Sequence, residues 1–354
     1  MRFLSIRYII AYSAIVIVVN SSIGCTQSTP GQLISSATPV LPTQTTMAVP
    51  ISAQNADSLQ IGNQFGVDGA IDFVWCEGGS SLCVASEDGV MVYGNETLSV
   101  SASVESSVPK LLTTSSDQKK LAWVENENAI IIWDPNNGSR QTIDTGKETI
   151  IGLVFNPEGE ILASSSGDKQ VILWDVKSGT TNSSWDYPGW LVNLAYSPDG
   201  NQLVGAAQDE FAIPFFEAED GKLQRRLEWT EHASPILYGA HISPDWKAIA
   251  WISRGTIQLM DSTSGELGSV LGHEDFINSM SWSPDSRLIA TAAAGSINGG
   301  YSPLVTIWEA TTGEKLATLV SVNPIYRVAF SPDGSVIAVL DATGQIKLWS
   351  LPFE

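Results

Sequence analysis

A short turn sequence recurs along this chain at nearly constant spacing, and no other feature restricts the fold as strongly. Its clearest copies read "FNPEG" at 155–159, "YSPDG" at 196–200, "WSPDS" at 282–286 and "FSPDG" at 330–334, and "ISPDW" at 242–246 is a looser copy. With two weaker copies, "WCEGG" at 75–79 and "TSSDQ" at 114–118, the markers begin 39 to 48 residues apart. A period of this length indicates one small structural unit used seven times.

Each unit reads as four short β-strands. Around the marker at 196–200, the β-prone segments "LVNLAY" and "QLVGAA" flank "SPDG", where Asp-Gly supplies a tight turn. In the preceding unit "VILWD" (171–175) is a third strand, and "KSG" (177–179) turns the chain into a fourth. One such sheet cannot bury both of its faces, but several sheets packed radially can. The sequence therefore predicts an all-β fold, a seven-bladed β-propeller of four-stranded antiparallel blades.

The repeats resemble those of the WD40 family. The resemblance rests on the Trp-Asp pairs at 133–134 and 174–175, the "SPDG" hairpins and the Gly-His pair at 272–273, and it extends over residues 57–354. WD40 blades often contain a hydrogen-bonded set of His, Ser or Thr, Asp and Trp. Ser164, Asp168 and Trp174 fit this set in the third blade, but Lys147 stands at the position of the His. The blade introduced by His273 lacks the Asp, so no blade has the complete set.

The resemblance also explains why the last repeat ends early. The chain stops shortly after the third strand of this repeat, which contains Trp349. In WD40-type propellers the outermost strand of the last blade comes from the N-terminal end of the domain. Residues 57–64, "DSLQIGNQ", are therefore predicted to supply it and to close the ring.

The N-terminal segment has the organisation of an exported, anchored protein. Residues 1–24 combine a short basic start with an uncharged apolar run at 8–19, as in a signal peptide. The following Cys25, preceded by Gly24, resembles the lipidated cysteine of bacterial lipoproteins, although Ser22 replaces the usual Leu. Residues 25–56 are rich in Thr, Ser and Pro and are predicted to form a flexible tether. We expect a lipid-anchored protein of the bacterial cell envelope that faces the periplasm or the exterior; a plain signal peptide or an uncleaved anchor is the alternative.

Composition limits the possible functions. The formal net charge of -20 argues against a nucleic-acid partner, because phosphates require a basic surface. Only three His are present, and no nucleotide-binding or hydrolase motif occurs. We interpret His232 and His273 as structural and His241 as a core residue. "DPNNG" at 134–138 lacks the spacing of a calcium loop. The sequence therefore predicts no metal, no cofactor and no enzymatic activity.

The first repeat contains the only two cysteines beyond Cys25. If this hairpin follows the other copies, Cys76 lies opposite Ser80 and Cys83 lies opposite Phe73. The two thiols would then point to opposite faces of the sheet, too far apart for a disulfide. A bond stays open as the alternative, because this hairpin is the least regular copy.

The resemblance also implies a binding face. In WD40 propellers the loops between blades share one face of the ring with the loops between the second and third strands. The aromatic and acidic residues that the repeat register assigns to these loops are Trp185, Tyr187, Trp190, Trp229, Phe276, Tyr301, Asp186, Glu231 and Asp275. Residues 294–304 form the longest loop between a second and a third strand and are expected to be flexible. Exposed aromatic side chains among acids suit a recognition site. Alternatively, part of these rings fill gaps between blades.

These patterns favour a membrane-tethered, extracytoplasmic propeller that acts as a non-catalytic protein-interaction scaffold, with a protein partner on the loop face. One alternative is a carbohydrate-binding module that stacks the loop aromatics on sugar rings. A propeller enzyme is a further alternative. In each case the membrane is contacted only through the lipid anchor.

Overall fold

The computed structural model of the protein describes residues 48–352, except 147, 229–238, 254, 274–275 and 298–299, and it does not describe the side chains of 253 and 294–302. The predicted signal peptide, Cys25, most of the predicted tether, Lys147 and His232 lie outside the described residues. No helix in the described part of the chain has the length and apolar character needed to cross a bilayer.

The described chain forms seven four-stranded antiparallel sheets. The first strand, β1 (Gln60–Gly66), belongs to the last blade. Blade 1 contains β2 (Ala70–Cys76), β3 (Ser81–Ser86), β4 (Gly89–Gly94) and β5 (Val100–Glu105). Blade 2 contains β6 (Lys110–Thr114), β7 (Leu121–Glu125), β8 (Ala129–Trp133) and β9 (Arg140–Asp144). Blade 3 contains β10 (Ile150–Phe155), β11 (Ile161–Ser166), β12 (Gln170–Asp175) and β13 (Thr181–Asp186).

Blade 4 contains β14 (Leu191–Tyr196), β15 (Gln202–Ala207), β16 (Ala212–Glu217) and β17 (Leu223–Glu228). Blade 5 contains β18 (Gly239–Ile242), β19 (Ala248–Ser253), β20 (Thr256–Asp261) and β21 (Leu267–Gly272). Blade 6 contains β22 (Ile277–Trp282), β23 (Leu288–Ile297), β24 (Gly300–Glu309) and β25 (Lys315–Val320). Blade 7 contains β26 (Ile325–Phe330), β27 (Val336–Asp341), β28 (Gln345–Ser350) and β1. Two 3-10 turns, Ala56–Ser58 and Glu77–Gly79, complete the described secondary structure.

The sheets form a ring with the first strand of each blade at the centre. β10, for example, contacts both β6 and β14, the first strands of the neighbouring blades. The core lies between blades: Ile130 of blade 2 shares a buried cluster with Leu162 and Trp174 of blade 3. The predicted seven-bladed propeller is therefore confirmed.

The recurrent marker folds as a turn that its own side chains stabilise. In the copy at 196–200, the Ser197 hydroxyl donates to Asp199 Oδ1 at 2.6 Å and accepts from the Gln202 N–H at 2.9 Å. Gly200 has a φ of 72°, which favours glycine at the end of the turn. Four further copies repeat the Ser-to-Asp hydrogen bond, which pairs Ser115 with Asp117, Ser243 with Asp245, Ser283 with Asp285, and Ser331 with Asp333. The repeat is recognisable in the sequence because this turn requires these residue types.

The N-terminal strand closes the ring, as predicted. β1 pairs with β28 in antiparallel register from Gln60↔Ser350 to Gly66↔Gln345. The strand ends two residues later than the predicted segment and begins only after the 3-10 turn Ala56–Ser58. Packing also begins before residue 57, within the segment that the sequence assigns to the tether. Ile51 and Ala56 are buried against blades 6 and 7, and the Ile51 N–H donates to the Gly334 carbonyl at 2.9 Å.

The cysteines of blade 1 form a disulfide, so the prediction that their thiols face opposite ways is wrong. Blade 1 pairs the first residue of its marker with the residue seven positions later (Trp75↔Leu82), as the other blades do, and this register lies one residue from the predicted one. It places Cys76 opposite Ser81 and Cys83 opposite Val74. A shift of one residue moves side chains to the other face of a strand. Both cysteines now lie on the same face with their Cα atoms 6.0 Å apart, and the bond is buried between blades 1 and 2.

Parts of the polar set expected from the resemblance are present in two blades. In blade 3 the Trp174 Nε1–H donates to Ser164 Oγ at 2.8 Å, while Asp168 accepts from Ser166 instead. In blade 6 the Trp308 Nε1–H donates to Thr291 Oγ1 at 2.9 Å, and the Thr291 hydroxyl lies 2.8 Å from His273 Nε2. His273 therefore has a structural role, as predicted.

Ring closure can be tested with two N-terminal deletions. We expect removal of residues 1–66 to lower the melting temperature by about 10 °C or more relative to removal of residues 1–47. The reason is that the longer deletion loses the β1–β28 ladder and the buried Ile51 and Leu59, at a cost of about 5 kcal/mol. Thermal melts of the two purified proteins measure the difference. Equal melting temperatures would show that β1 is dispensable for the ring.

Candidate functional site

One side of the ring carries the predicted site. We call it the loop face; it contains the connections between blades and those between the second and third strands of each blade. The opposite side, the turn face, contains the Ser-Asp turns. Trp229, Glu231 and Asp275 lie outside the described residues, as does the side chain of Tyr301, whose backbone belongs to β24. The positions of Trp185, Asp186, Tyr187, Trp190 and Phe276 are described.

Trp185 and Tyr187 pack between blades 3 and 4. The ring centroid of Trp185 lies 5.7 Å from that of Phe216, and a Cβ built on Gly221 would come within 2.0 Å of the Trp185 ring. Tyr187 is buried edge-on against Phe216 at 5.4 Å, and its hydroxyl donates to Glu210 Oε2 at 2.9 Å. Burial and the neighbouring Glu210 carboxylate raise the pKa of Tyr187. Both rings therefore fill an inter-blade gap, which is the alternative that the sequence left open.

Trp190 is half-buried and held by polar contacts. Its Nε1–H donates to the Gly167 carbonyl at 3.0 Å, and its backbone N–H donates to Asp209 Oδ1 at 2.8 Å. Lys169 Nζ lies 5.2 Å from the Trp190 ring centroid and 2.8 Å from Asp209 Oδ2. Burial alone would raise the pKa of Asp209, but hydrogen bonds from Lys169 and the Trp190 N–H outweigh it and lower this pKa. The exposed Asp186 accepts from the Gln170 side chain at 3.1 Å.

A second part of the loop face exposes apolar side chains, most of which the sequence did not indicate. We define the apolar patch as Phe276, Val320, Val322 and Tyr326, whose exposed fractions are 55%, 63%, 84% and 41%. A hydrogen bond of 3.0 Å from Asn278 Nδ2 to the Ile325 carbonyl joins blades 6 and 7 beside Phe276 and Tyr326. Of the four, only Phe276 was predicted. The valines gave no signal, because valine in a β-rich repeat is typical of an ordinary strand.

The expected flexible loop at 294–304 is a continuation of two strands. β23 and β24 each have 10 residues, and their pairing continues from Ala293↔Leu304 through Ala294↔Pro303, Gly295↔Ser302 and Ser296↔Tyr301 to Ile297↔Gly300. At about 3.3 Å per residue, the four additional pairs extend the blade by about 13 Å on the loop face. We call residues 294–297 with 300–303 the blade 6 hairpin. The expectation of a flexible loop is therefore wrong, because the ladder continues along the segment.

Carboxylates dominate the remainder of the loop face. Its exposed acids in the described connections are Asp68, Glu87, Asp88, Glu127, Glu148, Asp168 and Asp209, and the exposed Asp186 ends β13. The described cation in the same connections, Lys169, is paired with Asp209. The face therefore has a negative potential that attracts a basic partner.

The innermost strands contain a polar group near the axis. Arg327 Nε on β26 lies 3.2 Å from Asp72 Oδ1 on β2, so this ion pair joins the last blade to the first. Burial lowers the pKa of His241 on β18 to about 4, and the positive charge of Arg327 adds to the effect. No group of three His, Cys, Asp or Glu side chains that could hold a metal occurs among the described residues.

Comparisons with known proteins agree with the repeat. Residues 138–175, 265–299 and 313–350 match the family model "WD domain, G-beta repeat" (WD40), so these three segments are similar to WD40 repeats. Eukaryotic translation initiation factor 3 subunit I is 40% identical over 82 residues in Scheffersomyces stipitis and 37% identical over 82 residues in Candida albicans. The matched segments are 23% of this chain and 21% of each relative, so the chain spans about a fifth of their length.

A solved structure agrees with the fold. The β-propeller domain of Cps50 (Swd1) from Myceliophteria thermophila superposes with a TM-score of 0.71, at 16% identity. The superposition covers 83% of this chain and 100% of that domain. At this identity the similarity concerns the fold alone.

The buried histidines predict a pH-dependent stability. Burial lowers the pKa of His273 to about 4, as it does for His241, whereas an unfolded His titrates near 6.5. Between these values the unfolded chain binds a proton that the folded chain does not. The stabilising contribution is therefore present above pH 6.5 and is lost as the pH falls towards 4, by about 1.4 kcal/mol per pH unit for each His.

Urea unfolding of the wild type and of His273→Gln at several pH values between 4 and 7 measures this effect. The variant loses the bond to Thr291 at every pH, but its stability should depend less steeply on pH. Parallel pH profiles for the two proteins would contradict a neutral, buried His273.

Proposed function

We propose that this protein is a membrane-tethered, extracytoplasmic WD40-type propeller that binds a protein partner on its loop face without catalysis. The observation that carries this proposal is the apolar patch of blades 6 and 7. Burying apolar surface is worth about 25 cal/mol per Å², and an exposed patch on an otherwise charged face favours association. WD40 propellers generally serve as non-catalytic protein-binding scaffolds, which agrees with this proposal.

The patch is suited to binding because its support is rigid. The backbone N–H groups of Val328 and Phe330 donate to Ser279 Oγ at 3.2 Å and Ser281 Oγ at 3.1 Å, so β26 is fixed to β22 directly below the patch. A partner therefore meets side chains whose backbone is already ordered, and little conformational entropy is lost on binding. The exposed acids elsewhere on the loop face favour basic residues in the partner.

Three of the described aromatic rings on the loop face are engaged within the protein, which favours a protein partner over a sugar. Stacking on a sugar ring requires an accessible aromatic face. Trp185 and Tyr187 are packed against Phe216, and Trp190 is held by Gly167 and Lys169. The exposed apolar surface is mainly aliphatic, because Val320 and Val322 are its most exposed members.

The proposed location rests on the N-terminal sequence and on the disulfide. The apolar run at 8–19 and the Gly24-Cys25 pair have the pattern of an exported lipoprotein. Disulfides persist in oxidising compartments outside the cytoplasm, and Cys76–Cys83 is such a bond. The tether would hold the ring at a membrane while the loop face remains available to a partner.

The patch can be tested with paired substitutions. We expect Phe276→Ala and Val322→Ser to weaken binding of a partner purified from the cell envelope by about 1–3 kcal/mol each, since buried apolar anchors dominate interfaces. Val100→Ser and Leu267→Ala provide controls, because these side chains are similarly exposed but lie on the outer strands β5 and β21. Binding constants measured by calorimetry at low and high salt also test the contribution of the acids on the loop face, since added salt should weaken the complex. Equal effects of patch and control substitutions would exclude the patch as the binding surface.

The anchor can be tested separately. We expect the mature wild-type protein to partition into the detergent phase, and Cys25→Ala to release it into the aqueous phase or to leave the signal peptide uncleaved, because the lipid attachment site is lost. Intact-mass measurement combined with phase partitioning checks this outcome. A Cys25→Ala protein with the wild-type mass and partitioning would refute lipidation at this residue.

A further inference from the structure

The blade 6 hairpin leaves sheet edges open. On one side, β22 ends its pairing with β23 at Ile277↔Ala293. On the other side, β25 ends its pairing with β24 at Leu304↔Val320. Beyond these pairs, the hairpin strands pair only with each other in the described part of the chain, apart from one hydrogen bond of 3.0 Å from the Ser321 N–H to the Pro303 carbonyl. An open edge of this kind is a template for another strand.

The Ser321 hydrogen bond shows which backbone groups are available. Because the Pro303 carbonyl points away from β23 towards the β25 side, the N–H and C=O of Tyr301, two residues away in the strand, point in the same direction. Tyr301 lies beyond the end of β25, so its backbone donor and acceptor face the space into which β25 would continue. A strand placed there would satisfy both groups.

Apolar side chains lie beside this edge. Val320 is the last residue of β25, and Val322 follows two residues later; both are largely exposed. A strand that continued the line of β25 would pass over them, so its apolar side chains would bury the valines while its backbone paired with Tyr301. The edge and part of the apolar patch therefore form one surface.

We propose that the partner binds by adding an extended segment to the β24 edge of the blade 6 hairpin, beside Gly300–Pro303. The segment alternates apolar residues, which cover Val320 and Val322, with basic residues, which the negative potential of the loop face attracts. This inference rests on the proposed function, because it specifies how a protein partner is held. Strand addition is favoured over a helix in a groove because the open groups belong to a sheet edge.

The direct test uses a defined peptide. The probe is a fluorescently labelled, capped peptide of three Lys-Val repeats, and two versions carry N-methyl groups on either all Lys or all Val amides. In an added strand only one set of amides faces the sheet, so one N-methylated version should bind about tenfold more weakly, while the other should bind like the parent peptide. Fluorescence anisotropy measures the affinities, and amide hydrogen exchange should show new protection of the Tyr301 N–H. Equal affinities of the two methylated peptides, or no protection at Tyr301, would overturn strand addition.

A second variant separates this inference from the proposed function. In this variant Asn-Gly replaces residues 294–303 and connects Ala293 to Leu304. These two residues are already partners in the β23–β24 ladder, so blade 6 gains a short hairpin turn. We expect this variant to keep the wild-type melting temperature and to bind both the probe and the envelope partner about tenfold more weakly. If the short-hairpin protein binds the partner normally while Val322→Ser does not, the patch is the binding surface and the strand-addition proposal is wrong. If neither change matters, the proposed function fails as well.

Discussion

The antiparallel ladder between β1 and β28 is the interaction on which the ring depends. Each blade can bury its faces only against two neighbours, so an open arc would leave apolar faces exposed at both ends. Blade 7 has only three strands from the C-terminal end of the chain, and β1 completes it. Ile51, Ala56 and Leu59 extend the closure by packing against blades 6 and 7. The first and last parts of the chain therefore support each other.

Closure also determines the character of the loop face. Because the ring is continuous, the connections on this face are held in fixed positions. Their side chains differ in how far they are exposed to solvent. Between blades 3 and 4, a hydrogen bond, a cation-π contact and an ion pair connect Trp190, Lys169 and Asp209, so this region is a structural network. Between blades 6 and 7, Val322 and Phe276 are exposed to solvent above a rigid support. Unburied apolar surface is the stronger indication of binding.

Much of the fold could be predicted from the sequence, but only part of the candidate site. The Ser-Asp turn imposes a strict residue pattern, as at Ser197 and Asp199, so it revealed the blade count, whereas the closure was predicted from the resemblance to WD40 propellers. Trp185 was assigned to a loop, but it ends up between blades because Gly221 of the next blade leaves room for its ring. That contact joins residues far apart in sequence and has no local signal. Val320 and Val322 were missed for a related reason, since exposure depends on where neighbouring strands end.

The first hairpin of blade 1 keeps the register of the other blades although its turn is irregular. Gly78 and Gly79 adopt positive φ in a 3-10 turn, yet Trp75 pairs with Leu82 just as Phe330 pairs with Ile337 in blade 7. In a register shifted by one residue the two sulfur atoms would lie on opposite sides of the sheet, and no bond could join them.

The disulfide therefore selects between two pairings of the same hairpin. Cys76 and Cys83 are only 7 residues apart in sequence, so the bond closes a short loop and stabilises the fold by about 2–3 kcal/mol through chain entropy. Its larger consequence concerns the register. Once oxidised, the hairpin cannot slip by one residue, because the two cysteines would then lie on opposite faces of the sheet. The bond thus fixes which residues of blade 1 face blade 2 without help from the strands of the neighbouring blades.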